Sequence, residues 1–311
     1  MNTAPLNTAP SSPRHAPDAP AERALVLGGG GSTGNAWLIG VIAGLSEAGL
    51  DVTDADLIVG TSAGSTAAAQ VSGGASPADF YAAVLAAPDH AGPATPQPGS
   101  GRAAAGRVAG QLERTAKIIA AAQDPEDMRR RMGAFALERD AGPDGSARWR
   151  TVVAGRLPGE GWPNRHLLIT AVDAVTGEPA VFDRDSGVEL VDAVAASCSS
   201  GFAYAIGASR YIDGGYRRNE NADLAAGYRR VLVLSPFGGT TRHPLEWRMQ
   251  LAAQVDELRA GGSRVETVFP DSGAEHLFGA NAMDHALRPE AARAGHSQGM
   301  ALAERIAGFW R

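Results

Sequence analysis

Leu57-Ile58-Val59-Gly60-Thr61-Ser62-Ala63-Gly64 is an apolar, β-branched run that breaks into a glycine-framed serine. A run of this kind reads as a buried strand, and the glycines mark the sharp turn that ends it. Gly60 and Gly64 leave no Cβ to collide across that turn. Ser62 is therefore expected at the tip of a strand-to-helix elbow, with the N-terminus of the next helix behind it. One unit upstream the pattern recurs. Ala24-Leu25-Val26-Leu27 runs into Gly28-Gly29-Gly30-Gly31-Ser32-Thr33-Gly34, a loop of backbone N–H groups with few side chains to cover them. A nucleophile and a set of donors for a developing oxyanion are thus encoded side by side.

The same residues admit competitors. Gly30-Gly31-Ser32-Thr33-Gly34 is a second G-x-S-x-G, which makes Ser32 a rival to Ser62. Ser62 is preferred because four consecutive glycines present backbone better than they fix a side chain, and Ser32 reads as a helix N-cap. Gly29-x-Gly31-x-x-Gly34 also satisfies a dinucleotide fingerprint. That fingerprint wants an acidic residue at the end of the next strand, whereas Asp51, Asp54 and Asp56 all precede it. For the base, His166, His243, His276, His285 and His296 are available. His285 and His296 lie where an α/β hydrolase keeps its histidine. The alternative is Asp213, which ends the apolar pair Tyr211-Ile212 and is followed by Gly214-Gly215. A carboxylate partly withdrawn from water beside a serine hydroxyl can take its proton directly, although Asp-Gly-Gly is also an ordinary turn.

Outward from these turns, strand patterns fall at 24–28, 56–60, 151–154, 166–172, 180–182, 231–235 and 264–269. Helical patterns fall at 34–49, 63–73, 76–87, 102–123, 124–138, 189–197, 246–261, 273–282 and 288–308. The alternation predicts an α/β layered fold on a mostly parallel sheet, with a hairpin turn at Asp173–Gly177. Residues 1–21, rich in Pro and Ala without an apolar segment, read as a disordered tail ahead of one domain over 22–311. Residues 88–101 read as a surface loop. The amphipathic stretch 102–122 reads as a surface helix, with contact at a lipid interface or capping of an active site as the other reading.

With 311 residues, 44% of them hydrophobic, the chain can bury a full core, and its net charge of −6 gives no footprint for nucleic acid. The single cysteine, Cys198, offers neither a disulfide framework nor a thiolate metal site. No cofactor is called for. The simplest location is cytoplasmic.

Three motifs in chain order, Gly29–Gly34, Gly60–Gly64 and Asp213–Gly215, resemble those of the patatin-like phospholipases, lipid acyl hydrolases with a Ser–Asp dyad on a three-layer α/β/α fold. Ala195-Ala196-Ser197-Cys198 and Asn221-Ala222-Asp223-Leu224 fit the same pattern. The resemblance spans most of residues 22–308. It implies Ser62 as nucleophile and Asp213 as base, with the N–H groups of Gly29, Gly30, Gly31 and Ala63 as the oxyanion hole. It also implies a lipid or phospholipid ester as substrate and transient contact with a membrane surface, the enzyme being otherwise cytoplasmic. Two positions depart from the family. Thr33 stands where Arg or Lys is usual, and Ser199–Tyr204 lacks the usual prolines. These departures leave a weak or silent lipid-binding relative as the alternative.

Overall fold

The computed structural model describes residues 22–86, 100–140 and 142–311, so the tail expected over 1–21 and the Pro/Gly stretch through residue 99 lie outside the described residues. The strands are β1 (Arg23–Leu27), β2 (Leu57–Gly60), β3 (His166–Asp173), β4 (Pro179–Phe182), β5 (Tyr204–Ile206), β6 (Ser209–Asp213), β7 (Arg230–Leu234) and β8 (Arg264–Val268). The helices are α1 (Gly31–Glu47), α2 (Ala63–Ser72), α3 (Pro77–Ala86), α4 (Ser100–Ala121), α5 (Pro125–Leu137), α6 (Gly142–Ala154), α7 (Leu190–Ser197), α8 (Leu251–Ala260) and α9 (Arg288–Trp310).

The strands form one sheet in the order β5-β6-β3-β2-β1-β7-β8, with β4 also paired to β3. The pairs from β3 through β8 are parallel, and those involving β4, β5 and β6 are antiparallel. Side chains alternate between the two faces of each strand, so each strand feeds two cores. Leu25, Leu27, Ile58 and Ile169 pack beneath α1, α2, α7 and α9. Ala24, Val26, Leu57, Val59, Val231 and Val233 pack against Leu251, Val255 and Leu258 of α8. Helices thus cover both faces, giving a three-layer α/β/α architecture with a mostly parallel sheet.

The register of β3 positions the site. Ile169 pairs with both Gly60 of β2 and Phe182 of β4, so those two strands lie on opposite edges of β3. Ala171 and Val172 pair with β4 and with β6, which places β6 opposite β4 and therefore on the same edge as β2. Along that edge β2 runs up to Gly60 and antiparallel β6 runs down to Asp213. The two chain ends meet across Thr170.

α1 and α9 cross at backbone contact. A Cβ on Gly40 or Gly44 of α1 would stand 2.2 Å from the carbonyl oxygen of Ala292 or His296, and one on Gly295 or Gly299 of α9 would stand 2.3 Å from that of Trp37 or Val41. Glycines four residues apart on each helix therefore form the contact surface between α1 and α9.

Several expectations change. Residues 151–154, expected as a strand, are the end of α6. Ser146, Trp149 and Val153 fall on one helical face there, with Val153 fully buried and the Trp149 indole N–H bonded to the Ala195 carbonyl at 3.0 Å. Tertiary packing overrides the β-branched pair. The helix expected over 273–282 is two 3-10 turns, Ser272–Leu277 and Gly279–Asn281, and the helix expected at 246–261 begins only at Leu251. The hairpin β5–β6, joined by the two-residue turn Gly207-Ala208, has no counterpart among the expected strands. The Asp173–Gly177 turn forms as expected, with Asp173 Oδ1 accepting from the N–H of Val175 and Thr176 at 2.8 Å. No helix among the described residues is long and apolar enough to cross a membrane.

Candidate active site

Ser62 sits between β2 and α2 with φ of 53°, one of three non-glycine residues with positive φ among those described. An L-residue is strained in this sparsely populated region by about 1–3 kcal/mol, and the surrounding bonds must hold it there. The Ser62 N–H donates to Ser197 Oγ at 2.9 Å. Its carbonyl accepts from Ser65 Oγ at 2.6 Å and from Cys198 Sγ at 3.1 Å. Gly64 permits the turn by close approach, since a Cβ there would lie 1.9 Å from the Leu27 carbonyl oxygen. Gly60 is similarly tight, with the Ser65 Cα 2.6 Å from where its Cβ would be.

The Ser62 hydroxyl donates to Asp213 Oδ2 at 2.8 Å. The other carboxylate oxygen accepts from the Gly215 N–H at 2.8 Å. Burial pushes the Asp213 carboxyl up to about 6, against the opposing pull of the Gly215 and Ser62 hydrogen bonds. Near neutral pH the group is thus an ionised carboxylate with raised proton affinity, as direct proton abstraction requires. Below it, Asn221 brackets the strand ends. Its Nδ2 lies 3.0 Å from Thr61 Oγ1, 3.2 Å from Thr170 Oγ1 and 3.3 Å from the Gly214 carbonyl.

The glycine loop lies against the elbow, with Ser62 Cβ 3.6 Å from where a Gly29 side chain would begin. Gly29 itself leaves the expected donor set, because its N–H already donates to the Asn219 carbonyl at 3.0 Å. The Asn219 side-chain amide returns a bond to the Gly29 carbonyl at 3.3 Å. Among the described residues the N–H groups of Gly30, Gly31 and Ala63 have no acceptor. All three lie at helix N-termini, where the helix dipole favours negative charge.

The rival residues are placed elsewhere. Ser32 is not an N-cap; that position belongs to Gly30, and Ser32 lies within the first turn of α1. Its hydroxyl is shared by His285 Nδ1 at 3.1 Å and Arg288 Nη1 at 3.2 Å. His296 pairs with Glu47, His276 with Glu290 and His243 with Thr241. His166 lies at the start of β3, 3.5 Å from the Tyr228 hydroxyl. None of these imidazoles is bonded to Ser62. Burial pushes the Cys198 thiol up to about 11, which leaves it a protonated donor to the Ser62 carbonyl. Sequence reasoning missed Asn219 and Arg288. Arg288 brings to the glycine loop the cation that Thr33 does not, donating to the Ser32 carbonyl at 2.7 Å. No local pattern announces a contact between residues so far apart in the chain.

A family model described as patatin-like phospholipase matches residues 25–226. Among solved structures, VipD from Legionella pneumophila is similar with 14% identity and a TM-score of 0.42, over 92% of this chain and 67% of that one. The type III effector protein ExoU is similar with 18% identity and a TM-score of 0.39, over 92% of this chain and 54% of that one. The Pseudomonas aeruginosa complex of SpcU with ExoU gives 18% identity and a TM-score of 0.33, over 90% and 53% of the two chains. A search of curated proteins returned no match.

Proposed function

The chain belongs to the patatin-like phospholipase family, and from that premise we propose that it is a serine acyl hydrolase cleaving lipid carboxylic esters. The observation that carries this reading is the 2.8 Å hydrogen bond from the hydroxyl of Ser62, held on a strained elbow, to the buried carboxylate of Asp213.

In the proposed reaction Ser62 Oγ attacks the ester carbonyl as its proton passes to Asp213. The tetrahedral oxyanion is met by the N–H groups of Gly30, Gly31 and Ala63. Collapse expels the alcohol or lysolipid, which takes the proton back from Asp213 and leaves an acyl-Ser62. Water then attacks that ester, giving its proton to Asp213, and the acid leaves as Ser62 is reprotonated. The nucleophile, the base and the oxyanion donors of this reaction are groups of the chain, and water is the second nucleophile. Approach to lipid would occur at a membrane surface.

The test is labelling with a fluorophosphonate together with turnover of short and medium p-nitrophenyl esters. Wild type is expected to label and turn over, and Ser62→Ala is expected to do neither although Ser32 remains. Labelling that survives in Ser62→Ala would move the nucleophile to Ser32. A well-folded wild type that neither labels nor turns over would leave a silent lipid-binding protein.

The elbow itself yields a further expectation. Gly64→Ala drives a methyl into the Leu27 carbonyl, a backbone atom that no rotamer change can move. Overpacking of this kind costs about 1–3 kcal/mol. Because relief comes from shifting the elbow, labelling should slow even in protein that melts close to wild type. Labelling at the wild-type rate would show that the turn tolerates a side chain.

A further inference from the structure

The N-terminus of α1 collects the positive charge of Arg288, which has no carboxylate within ion-pair distance among the described residues. This side chain, at the start of α9, is partly buried. Its Nη1 donates to the carbonyl and hydroxyl of Ser32, and its Nη2 to Asn35 Oδ1 at 3.1 Å. That leaves its Nε–H and a hydrogen on Nη2 without an acceptor among the described residues. Asn35 in turn donates toward the Ala63 carbonyl at 3.5 Å and to Gln70 Oε1 at 3.2 Å, which ties Arg288 to the helix that begins behind Ser62.

A second arginine is fastened to the same network through Gln70. Arg156 follows α6, is exposed, and lies with its Cζ 5.3 Å from the centre of the Trp149 ring; it too lacks a carboxylate partner among the described residues. Its carbonyl is fastened to α2 by Gln70 Nε2 at 2.9 Å. His285 is held below its usual range by burial and by the charges of Arg288 and Arg156. Burial and the Arg156 charge also bring Arg288 down to about 10, so it remains a cation at neutral pH. Asp284, next to His285, is the acidic group among those acting on this cluster, and its Oδ1 accepts from the Ala286 N–H. Arg288 sits on Ser32, whose N–H has no acceptor among the described residues, and the chain Arg288–Asn35–Gln70–Arg156 fastens both arginines to α1 and α2, an arrangement suited to an anion.

We infer that Arg288 and Arg156 form a phosphate-binding subsite beside the glycine loop, which selects esters whose leaving group carries a net negative phosphate over zwitterionic or neutral ones. The inference rests on the hydrolase reading for its link to substrate, while binding of the anion does not. In the bound ester the carbonyl lies over Gly30, Gly31 and Ala63 with the acyl chain directed away. The phosphate of the alcohol portion bridges the two guanidiniums. Arg288 accounts for position as well as charge, because the same side chain holds the first turn of α1.

Two measurements test this. Calorimetry on Ser62→Ala protein, which cannot turn substrate over, is expected to show binding of glycerol 3-phosphate that weakens with salt. Adding Arg156→Gln should weaken that binding about tenfold, the loss of one charge-assisted contact. The second reading is the ratio of kcat/KM for phosphatidic acid over phosphatidylcholine of the same acyl chains, expected to exceed one in wild type and to fall about tenfold in Arg156→Gln. Arg288→Gln should act in the same direction, but it also removes bonds to Ser32 and Asn35, so the exposed Arg156 is the cleaner variant. Unchanged binding and an unchanged ratio in folded Arg156→Gln would overturn the subsite. Inorganic phosphate bound as tightly as glycerol 3-phosphate, with no change in the ratio, would make it a free-anion site and overturn substrate selection. Arginine-dependent binding in a protein that hydrolyses no ester would sink the hydrolase reading and leave the subsite standing.

Discussion

Asp213→Asn is expected to lower kcat/KM for ester hydrolysis by about 10²–10⁴-fold, the contribution of a positioned general base, and to make the protein more stable above neutral pH. Both effects follow from burial of one carboxylate. Asp213 is 7% exposed, and its carboxyl is pushed from 3.8 up to about 6. Only the ionised form can accept the Ser62 proton, so wild-type kcat/KM should rise with pH through about 6 and then level off. Stability runs the other way. A carboxyl whose pKa is raised in the fold holds its proton there while the unfolded chain has already released it. Stability therefore falls as pH rises from about 4 to about 6 and stays lower beyond, by roughly 2–3 kcal/mol for a shift of about two units. Asparagine carries no charge to desolvate and keeps an oxygen for the Gly215 N–H, so it escapes this loss. Activity profiles and denaturant unfolding between about pH 5 and 8 check both limbs. An Asn variant that is active with a flat profile would remove Asp213 from the chemistry.

Gly40→Ala is expected to cost about 3 kcal/mol, although alanine is the better helix former by about 1 kcal/mol. Its methyl would lie 2.2 Å from the Ala292 carbonyl oxygen, and only separation of α1 from α9 relieves the clash. Gly295→Ala meets the Trp37 carbonyl at 2.3 Å and should behave alike. The double variant is expected to cost less than the two singles together, because helices already pushed apart accommodate the second methyl. Activity should fall along with stability, since the loop that carries Gly30 and Gly31 opens α1. Denaturant unfolding of the singles and the double reads this directly. Gly40→Ala as stable as wild type would mean that the helices do not touch here.

Legibility in the sequence followed locality. The β1 and β2 runs, the glycine turns after them and the alternation into helices were readable because each is a short pattern with one steric cause. Thr151–Ala154 misled for the same reason. Its two valines favour a strand locally, and only the packing of Trp149 and Val153 under α7 makes it the end of a helix. β5 and β6 escaped notice because three to five residues of mixed polarity carry little pattern. They become strands by pairing with each other and with β3.

The candidate site divides in the same way. That Ser62 stands at an elbow, that a donor-rich loop precedes it and that Asp213 ends an apolar run before two glycines were all decided by the chain's own order, since backbone sterics act between neighbours. Which carboxylate or imidazole meets Ser62 was decided only by tertiary structure, through the edge of β3 that β2 and β6 share from opposite directions. The same holds for the Gly29 N–H taken by Asn219 and the cation that Arg288 brings to the α1 N-terminus. These contacts join residues with no local relation, and nothing in a sequence records a distance that only the packed sheet and the α1–α9 crossing create.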